Sequence, residues 1–157
     1  MIFKPVKTPC VGICSTGIGD DVCRGCKRFS HEVIHWNGYD NDQRRVIANR
    51  LASFLAQVVA NHFFIIDAEK LQAQLRHQQI SYQSDQDPMC WVFDLLKAGA
   101  SQITDISVYG VAVKREFQHL TLVELKQSVD QHFYLLSKAH YDRYFRPPQL
   151  PVAPSQL

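Results

Sequence analysis

The sequence predicts a mainly helical α+β protein, in which an N-terminal four-cysteine motif docks on a long amphipathic helix and a small C-terminal α/β portion follows. Three observations lead to this prediction: cysteines cluster near the N-terminus, apolar residues recur at helical spacing, and short β-branched runs lie between the helical segments. The length of 157 residues and the apolar content of 46% suffice for a buried core. We divide the chain into a metal-binding motif at 1–39, a helical α+β domain at 40–146 and a proline-rich disordered tail at 147–157.

The four cysteines Cys10, Cys14, Cys23 and Cys26 follow the pattern C-x3-C-x8-C-x2-C, in a segment rich in glycine. Cytosolic thiols stay reduced, and a tight cluster of them binds metal more often than it forms disulfides. Four thiolates suit either tetrahedral zinc or an iron–sulfur cluster, and the spacing does not choose between them. The sequence therefore predicts one metal centre with these four cysteines as ligands, holding Zn²⁺ or an iron–sulfur cluster.

Two helices are predicted directly after the cysteines. Ser30 is a suitable N-cap for a short helix over 31–36, and Gly38 ends it. Asp40 and Gln43 form a variant of the capping box, which predicts the start of a long helix. Its apolar face carries residues at helical spacing, namely Ile47, Leu51, Phe54, Leu55, Val58 and His62.

One strand and two helices are predicted in the middle of the chain. The run FFII at 63–66 could continue the long helix as far as Gln79, but its short apolar character favours a buried strand. Asp67 can cap the helix that follows. Asp87 followed by proline is a strong helix start, and Gly99 predicts the end of that helix.

The last elements are a strand and a second long helix. The stretch DISVYGVAVK at 105–114 is rich in β-branched residues and predicts a strand. TLVE at 121–124 is a capping box, and the helix that it starts is predicted to reach about Phe145. The face of this helix that we expect to be buried carries Leu122, Leu125, Val129, Phe133, Leu136 and His140.

The first third of the chain resembles a known family. The stretches PCVGIC, VCRGCKRFSHEVIHW and DNDQRRVIANRL, within residues 9–51, resemble the bacterial family called domain of unknown function 1289, whose members are described as predicted iron–sulfur proteins. The shared positions are Cys10, Cys14, Cys23, Gly25, Cys26, Arg28, Glu32, Trp36 and Arg44 or Arg45, whereas Phe29 stands where many members have threonine. The resemblance implies a four-cysteine cofactor site and no established enzymatic activity.

Basic residues near the cysteines are candidates for two roles. Lys27 and Arg28 follow the last cysteine and could offset the negative charge of four thiolates, or contact phosphate. Together with Arg44 and Arg45 they are possible contacts for nucleic acid or for a partner. The net charge of +2, from 17 basic and 15 acidic residues, is weak evidence for a nucleic-acid partner.

Three further side chains are expected beside the metal site without binding the metal. His31 and His35 have the i, i+4 spacing of a metal site, but four sulfurs already complete the coordination, so we assign them a supporting position. Trp36 is expected to pack over the metal loop. The fifth cysteine, Cys90, lies in the apolar segment MCWVF and is expected to be a buried thiol that binds no metal.

These observations predict a small cytoplasmic metal-thiolate protein that acts as an interaction or accessory module, with a protein as its partner. An RNA- or DNA-binding module and an iron–sulfur redox protein remain alternatives. No apolar run approaches the roughly 18 residues of a membrane span, and the N-terminus lacks the apolar core of a signal peptide, so we expect no membrane association. No acid–base pair, phosphate-binding loop or nucleophile motif is readable, which favours a non-enzymatic role without a small-molecule substrate.

Overall fold

The computed structural model describes residues 5–146 of the chain. The helices are α1 (Ser30–His35), α2 (Asn41–His62), α3 (Ala68–His77), α4 (Pro88–Gly99) and α5 (Leu122–Tyr144). Strands β1 (Phe63–Ile65) and β2 (Val111–Val113) form a small antiparallel sheet, in which Phe63 pairs with Val113. The mainly helical α+β class predicted from the sequence is confirmed. The predicted tail at 147–157 lies outside the described residues.

The two long helices begin at capping boxes, as predicted. The Asp40 carboxylate accepts a hydrogen bond from the Gln43 amide at 2.8 Å, and the Gln43 side chain accepts one from the Asp40 amide at 2.9 Å. Thr121 and Glu124 cap α5 in the same reciprocal way. These bonds satisfy amide groups that a helix leaves unpaired at its first turn, so they fix where α2 and α5 begin.

Helix α2 lies at the centre of the fold and contacts both α4 and α5. Its buried residues join one apolar core together with residues from the sheet and from the other long helices, including Leu51, Val59, Phe63, Leu71, Leu95, Val111, Leu125 and Phe133. Residues Phe63–Ile65 leave the helix as β1, which confirms a strand, but only Phe63 of the three is buried and Phe64 is 53% exposed. None of the helices in the described part of the chain has the length and hydropathy that a membrane span requires.

The predicted strand at 105–114 is wrong over its first half. Residues Ile106–Tyr109 form a 3₁₀ turn, and only Val111–Val113 are extended. The Asp105 carboxylate accepts hydrogen bonds from the Ser107 amide at 2.9 Å and hydroxyl at 2.6 Å, which stabilise the turn locally. Gly110 then adopts a φ of +72°, a conformation that breaks the extended run.

Gly110 also allows a close backbone approach between the sheet and α3. Its carbonyl accepts hydrogen bonds from the amides of Ile66, at 2.7 Å, and Asp67, at 3.1 Å. A Cβ atom at this position would lie 2.5 Å from the Asp67 carbonyl oxygen. The left-handed conformation and the close contact both require glycine here.

Candidate metal centre

The second pair of cysteines lies in a tight turn, which we call the knuckle (residues 22–29). Val22 and Phe29 form an antiparallel bridge at its base. Above the bridge, the Cys23 amide donates to the Arg28 carbonyl, and the Lys27 amide donates to the Cys23 carbonyl, both at 2.8 Å. Cys23 and Cys26 are buried within this turn. The backbone therefore holds these two sulfurs in fixed positions relative to each other.

The first pair of cysteines lies on an adjoining loop and is exposed to solvent. The Cys10 sulfur accepts a hydrogen bond from the Gly12 amide at 3.4 Å, and the Cys14 sulfur lies 3.1 Å from the Thr16 hydroxyl. Their thiols thus interact with nearby residues of the same loop. The two pairs differ in burial, and the structure fixes the buried pair more firmly.

The loop between Cys10 and Cys14 packs directly on the knuckle. A Cβ atom on Gly25 would lie 2.3 Å from the Ile13 carbonyl oxygen and 2.8 Å from a methyl group of Val11. The Cys23 thiol donates to the same Ile13 carbonyl at 3.5 Å. Since only glycine permits this approach, Gly25 is a structural requirement for keeping the two halves of the cysteine motif together.

The knuckle alters the protonation of its two thiols in opposite directions. Burial raises the pKa of Cys23, but hydrogen bonds from the backbone amides of Cys26, Ser15 and Gly25 and from the Cys26 side chain outweigh it, and the pKa falls from 9.0 to about 7. Burial raises the pKa of Cys26 above its usual value, and the hydrogen bond from Arg28 only partly offsets this. Cys23 is therefore the thiol of this pair that more readily becomes a thiolate, the form that binds metal.

Lys27 and Arg28 are both buried beside the cysteines. The Lys27 ammonium group donates to the carbonyls of Arg24, at 2.6 Å, and Gly25, at 3.0 Å, and forms an ion pair with Asp130 of α5 at 2.5 Å. The Arg28 side chain donates to the Cys26 sulfur at 3.2 Å. Both cations interact with the knuckle, an arrangement consistent with charge compensation of a thiolate site.

The aromatic and histidine residues predicted beside the site pack in two places. The Trp36 ring is buried, with the Arg28 guanidinium 5.0 Å from its centroid, so Trp36 contacts the knuckle through that arginine. His31 packs against Phe29 of the knuckle at 5.8 Å and against Phe145 at 5.0 Å. His35 instead neighbours Tyr39 at 6.4 Å.

Arg44 and Arg45 lie in the first turns of α2. Arg44 donates to the Trp36 carbonyl at 3.0 Å, and its guanidinium lies 5.3 Å from the Trp36 ring centroid. Arg45 forms an exposed ion pair with Asp42 at 3.3 Å. Arg44 thus connects the start of α2 to the residues just after the cysteine motif.

Two ion pairs that the sequence did not reveal connect the motif to the helices. Lys27 pairs with Asp130, and Glu32 of α1 pairs with Arg50 of α2 through two bonds of 2.6 and 2.7 Å. Asp130 lies 103 residues from Lys27 in sequence, and no local signal links them. The helical periodicity of α2 could have indicated that Arg50 lies on a partly buried face, but it could not have identified Glu32 as its partner.

Thiolates of the four cysteines would have the chemistry of soft-metal ligands. Four sulfurs are available, with amide and guanidinium donors directed at the buried pair. Among residues 5–146, no three histidine, cysteine or acidic side chains converge closely enough to form a metal-binding group. Binding would therefore require the side chains of the exposed pair to turn towards the knuckle on which their loop already packs.

Comparison with known proteins agrees with the resemblance in the N-terminal segment. Residues 8–54, just under a third of the chain, match a family described as "Protein of unknown function (DUF1289)". Searches of curated proteins and of solved structures gave no match. The matched segment contains the cysteine motif, the knuckle, α1 and the first half of α2. Over residues 8–54, this chain is therefore similar to the DUF1289 family.

Proposed function

We propose that this chain is a small cytoplasmic metal-thiolate protein that acts as an interaction or accessory module. Cys10, Cys14, Cys23 and Cys26 would hold Zn²⁺ or an iron–sulfur cluster. The observation that carries the proposal is the buried Cys23–Cys26 pair, towards which amide donors are directed. Zinc would supply structural cross-linking of the loop, whereas a cluster would add the capacity to accept an electron.

The chain has a physical reason to need such a centre. The loop at 10–20 contributes no side chain to the apolar core, so burial in that core does not stabilise its conformation. In small metal sites the free energy of binding becomes free energy of folding, because the unfolded chain has no preformed site. We therefore expect metal binding to order this loop against the knuckle.

The ordered loop offers a surface that suits a protein partner. Val11, Ile13 and Ile18 are 58%, 69% and 86% exposed. Contiguous exposed apolar side chains mark protein–protein contacts, and we propose that metal binding brings these three together. In this proposal the metal holds these three side chains in one arrangement, and the partner recognises that arrangement.

Nucleic-acid binding stays a prediction with less support. Lys27 and Arg28 are buried, Arg44 is hydrogen-bonded to the backbone near Trp36 and Arg45 pairs with Asp42, so all four candidate cations already have intramolecular contacts. If the protein nevertheless bound tRNA or duplex DNA, its affinity would fall steeply with salt. The redox alternative requires an iron–sulfur cluster, and metal analysis tests it directly.

The decisive experiment is metal analysis of protein purified without oxygen, with zinc and iron measured together and the absorbance spectrum recorded. We expect about one zinc per chain in colourless protein, or iron with absorbance near 400 nm that bleaches on reduction. Cys23→Ser should lose the metal, whereas Cys90→Ser should keep it, because Cys90 is buried against Ala52 of α2. If wild-type protein held less than about a tenth of an equivalent of both metals, the proposal would be wrong.

A glycine pair tests whether the two halves of the motif act as one site. Gly25→Ala keeps all four sulfurs but pushes a methyl group into the Ile13 carbonyl. Gly17→Ala, in the same loop, meets no atom within 4 Å and serves as the control. We expect Gly25→Ala to bind metal at least about tenfold more weakly and Gly17→Ala to match wild type. Equal affinities would contradict the close packing on which the site depends.

A further inference from the structure

Lys27 occupies an unusual position for a lysine. Its side chain is 1% exposed, and its backbone adopts a φ of +68°, a conformation that non-glycine residues rarely take. The ammonium group lies inside the knuckle, where it donates to the carbonyls of Arg24 and Gly25. Burying a lysine is costly unless its charge is paired, so the surrounding structure must hold it there.

The two carbonyls that Lys27 binds belong to two particular peptide groups. The Arg24 carbonyl shares a planar peptide unit with the Gly25 amide, and the Gly25 carbonyl shares one with the Cys26 amide. Those two amides are among the groups that hydrogen-bond to the Cys23 sulfur. In a trans peptide unit the carbonyl and the amide point in opposite directions, so a cation at the oxygens directs the N–H groups away from itself.

The same contact strengthens the amides as donors. A cation at a carbonyl oxygen draws electron density through the peptide unit and polarises the N–H bond at its other end. Hydrogen bonds in such a chain reinforce one another in a buried environment. Lys27 therefore acts on the Cys23 sulfur through two peptide units, without touching it.

Asp130 holds the ammonium group in this position from outside the knuckle. Its carboxylate, on α5, accepts from the Lys27 ammonium group, and the ring centroid of Phe133 on the same helix lies 5.5 Å away. We infer that Lys27 is a positioning residue of the cysteine site, which orients and polarises the Gly25 and Cys26 amides towards the Cys23 sulfur, and that Asp130 fixes it there. The effect of Lys27 on metal affinity rests on the proposed function, but its effect on the amide hydrogen bonds can be tested in metal-free protein.

The test compares Lys27→Met with wild type by NMR of the backbone amides, in metal-free and zinc-loaded protein. Methionine keeps a long unbranched side chain, one heavy atom shorter than lysine, and removes the charge and the donors. We expect the Gly25 and Cys26 amide protons to shift upfield and to exchange with deuterium at least about tenfold faster. The Ser15 amide also bonds the Cys23 sulfur, but Lys27 does not bind its peptide unit, so it serves as an internal control that should stay unchanged.

Two further variants keep the test decisive. Lys97→Met is the matched control, because Lys97 also pairs with an aspartate and lies 5.5 Å from a phenylalanine ring, but it sits on α4. Asp130→Asn should give smaller shifts of the same two amides, and it remains available if Lys27→Met does not fold. If Lys27→Met left both amides unchanged, or shifted Ser15 by as much, the inference would be wrong.

Zinc affinity separates this inference from the proposed function. Where wild type binds zinc, Lys27→Met should bind it roughly 10–100-fold more weakly, as is usual when groups behind the ligands are removed. If wild type bound no metal while the two amides still responded to Lys27→Met, the proposed function would fail and the inference would stand. If Lys27→Met bound zinc as wild type does and the two amides did not respond, the inference would fail and the proposed function would stand.

Discussion

The ion pair between Glu32 and Arg50 should contribute strongly to stability, and replacing either residue tests it. The Arg50 guanidinium makes two short bonds to the carboxylate, which also accepts from the Phe29 amide at 2.9 Å. The side chains of Arg50 and Glu32 are only 17% and 7% exposed. Arg50 also lies 4.1 Å from the centroid of the Phe29 ring. The pair thus joins α1, α2 and the base of the knuckle.

The exposures set the expected magnitudes. Removing one partner of a buried pair costs about 3–5 kcal/mol, because the other charge stays buried without compensation. Arg50→Met leaves the more buried charge, on Glu32, with only the Phe29 amide, so we expect a loss of about 3 kcal/mol. Glu32→Gln leaves a charge that water partly reaches and keeps an oxygen for the Phe29 amide, so we expect about 2 kcal/mol.

Urea unfolding of the two single variants and the double variant measures these values. With a slope of about 2 kcal/mol per molar urea, Arg50→Met should lower the midpoint by roughly 1.5 M. The double variant should be less destabilised than the sum of the singles by at least about 1 kcal/mol, because the first change already breaks the pair. Asp142→Asn, which breaks a half-buried pair with Lys138 on α5 that water still reaches, should cost only about 0.5 kcal/mol. Additive single effects would refute the reasoning.

Three further predictions follow from the described contacts. Gly110→Ala should cost at least about 2 kcal/mol through its positive φ and its contact with Asp67, while Gly38→Ala, which meets no atom within 4 Å, should change the urea midpoint little. Burial raises the pKa of Cys90 to about 12, so at pH 8 iodoacetamide should label this thiol only in unfolded protein. Peptide mass spectrometry measures the labelling, and a labelled Cys90 in native protein would contradict the prediction. Burial, with the nearby side chains of His132 and Lys114, lowers the pKa of His62. As the pH falls, the unfolded chain protonates this histidine before the folded protein does, so the free energy of unfolding should decrease below about pH 6.5. This decrease should be less steep in His62→Gln than in wild type, and equal slopes in the two proteins would contradict the prediction.

Local signals predicted most of the fold, because the groups that decide each boundary lie within a few residues of one another. Asp40 with Gln43 and Asp87 with Pro88 marked helix starts that the structure has at the same positions. The strand prediction at 105–114 was wrong over its first half because it relied on β-branched content. The turn that forms there depends on hydrogen bonds to a single side chain, that of Asp105. Sequence spacing grouped the four cysteines but could not tell that one pair is buried and the other exposed. That difference depends on contacts between distant segments, such as Lys27 with Asp130.

The contacts of Phe29 have a consequence for experiments on fragments. Its ring packs against His140, Tyr141 and Phe145 near the end of α5, more than a hundred residues away in sequence. A peptide cut at the limits of the family match would keep the four cysteines of the motif, yet it would expose this ring and leave Lys27 without its carboxylate partner. We therefore expect the region of sequence similarity to need α5 for its packing, and experiments on the motif should use the polypeptide through at least Phe145.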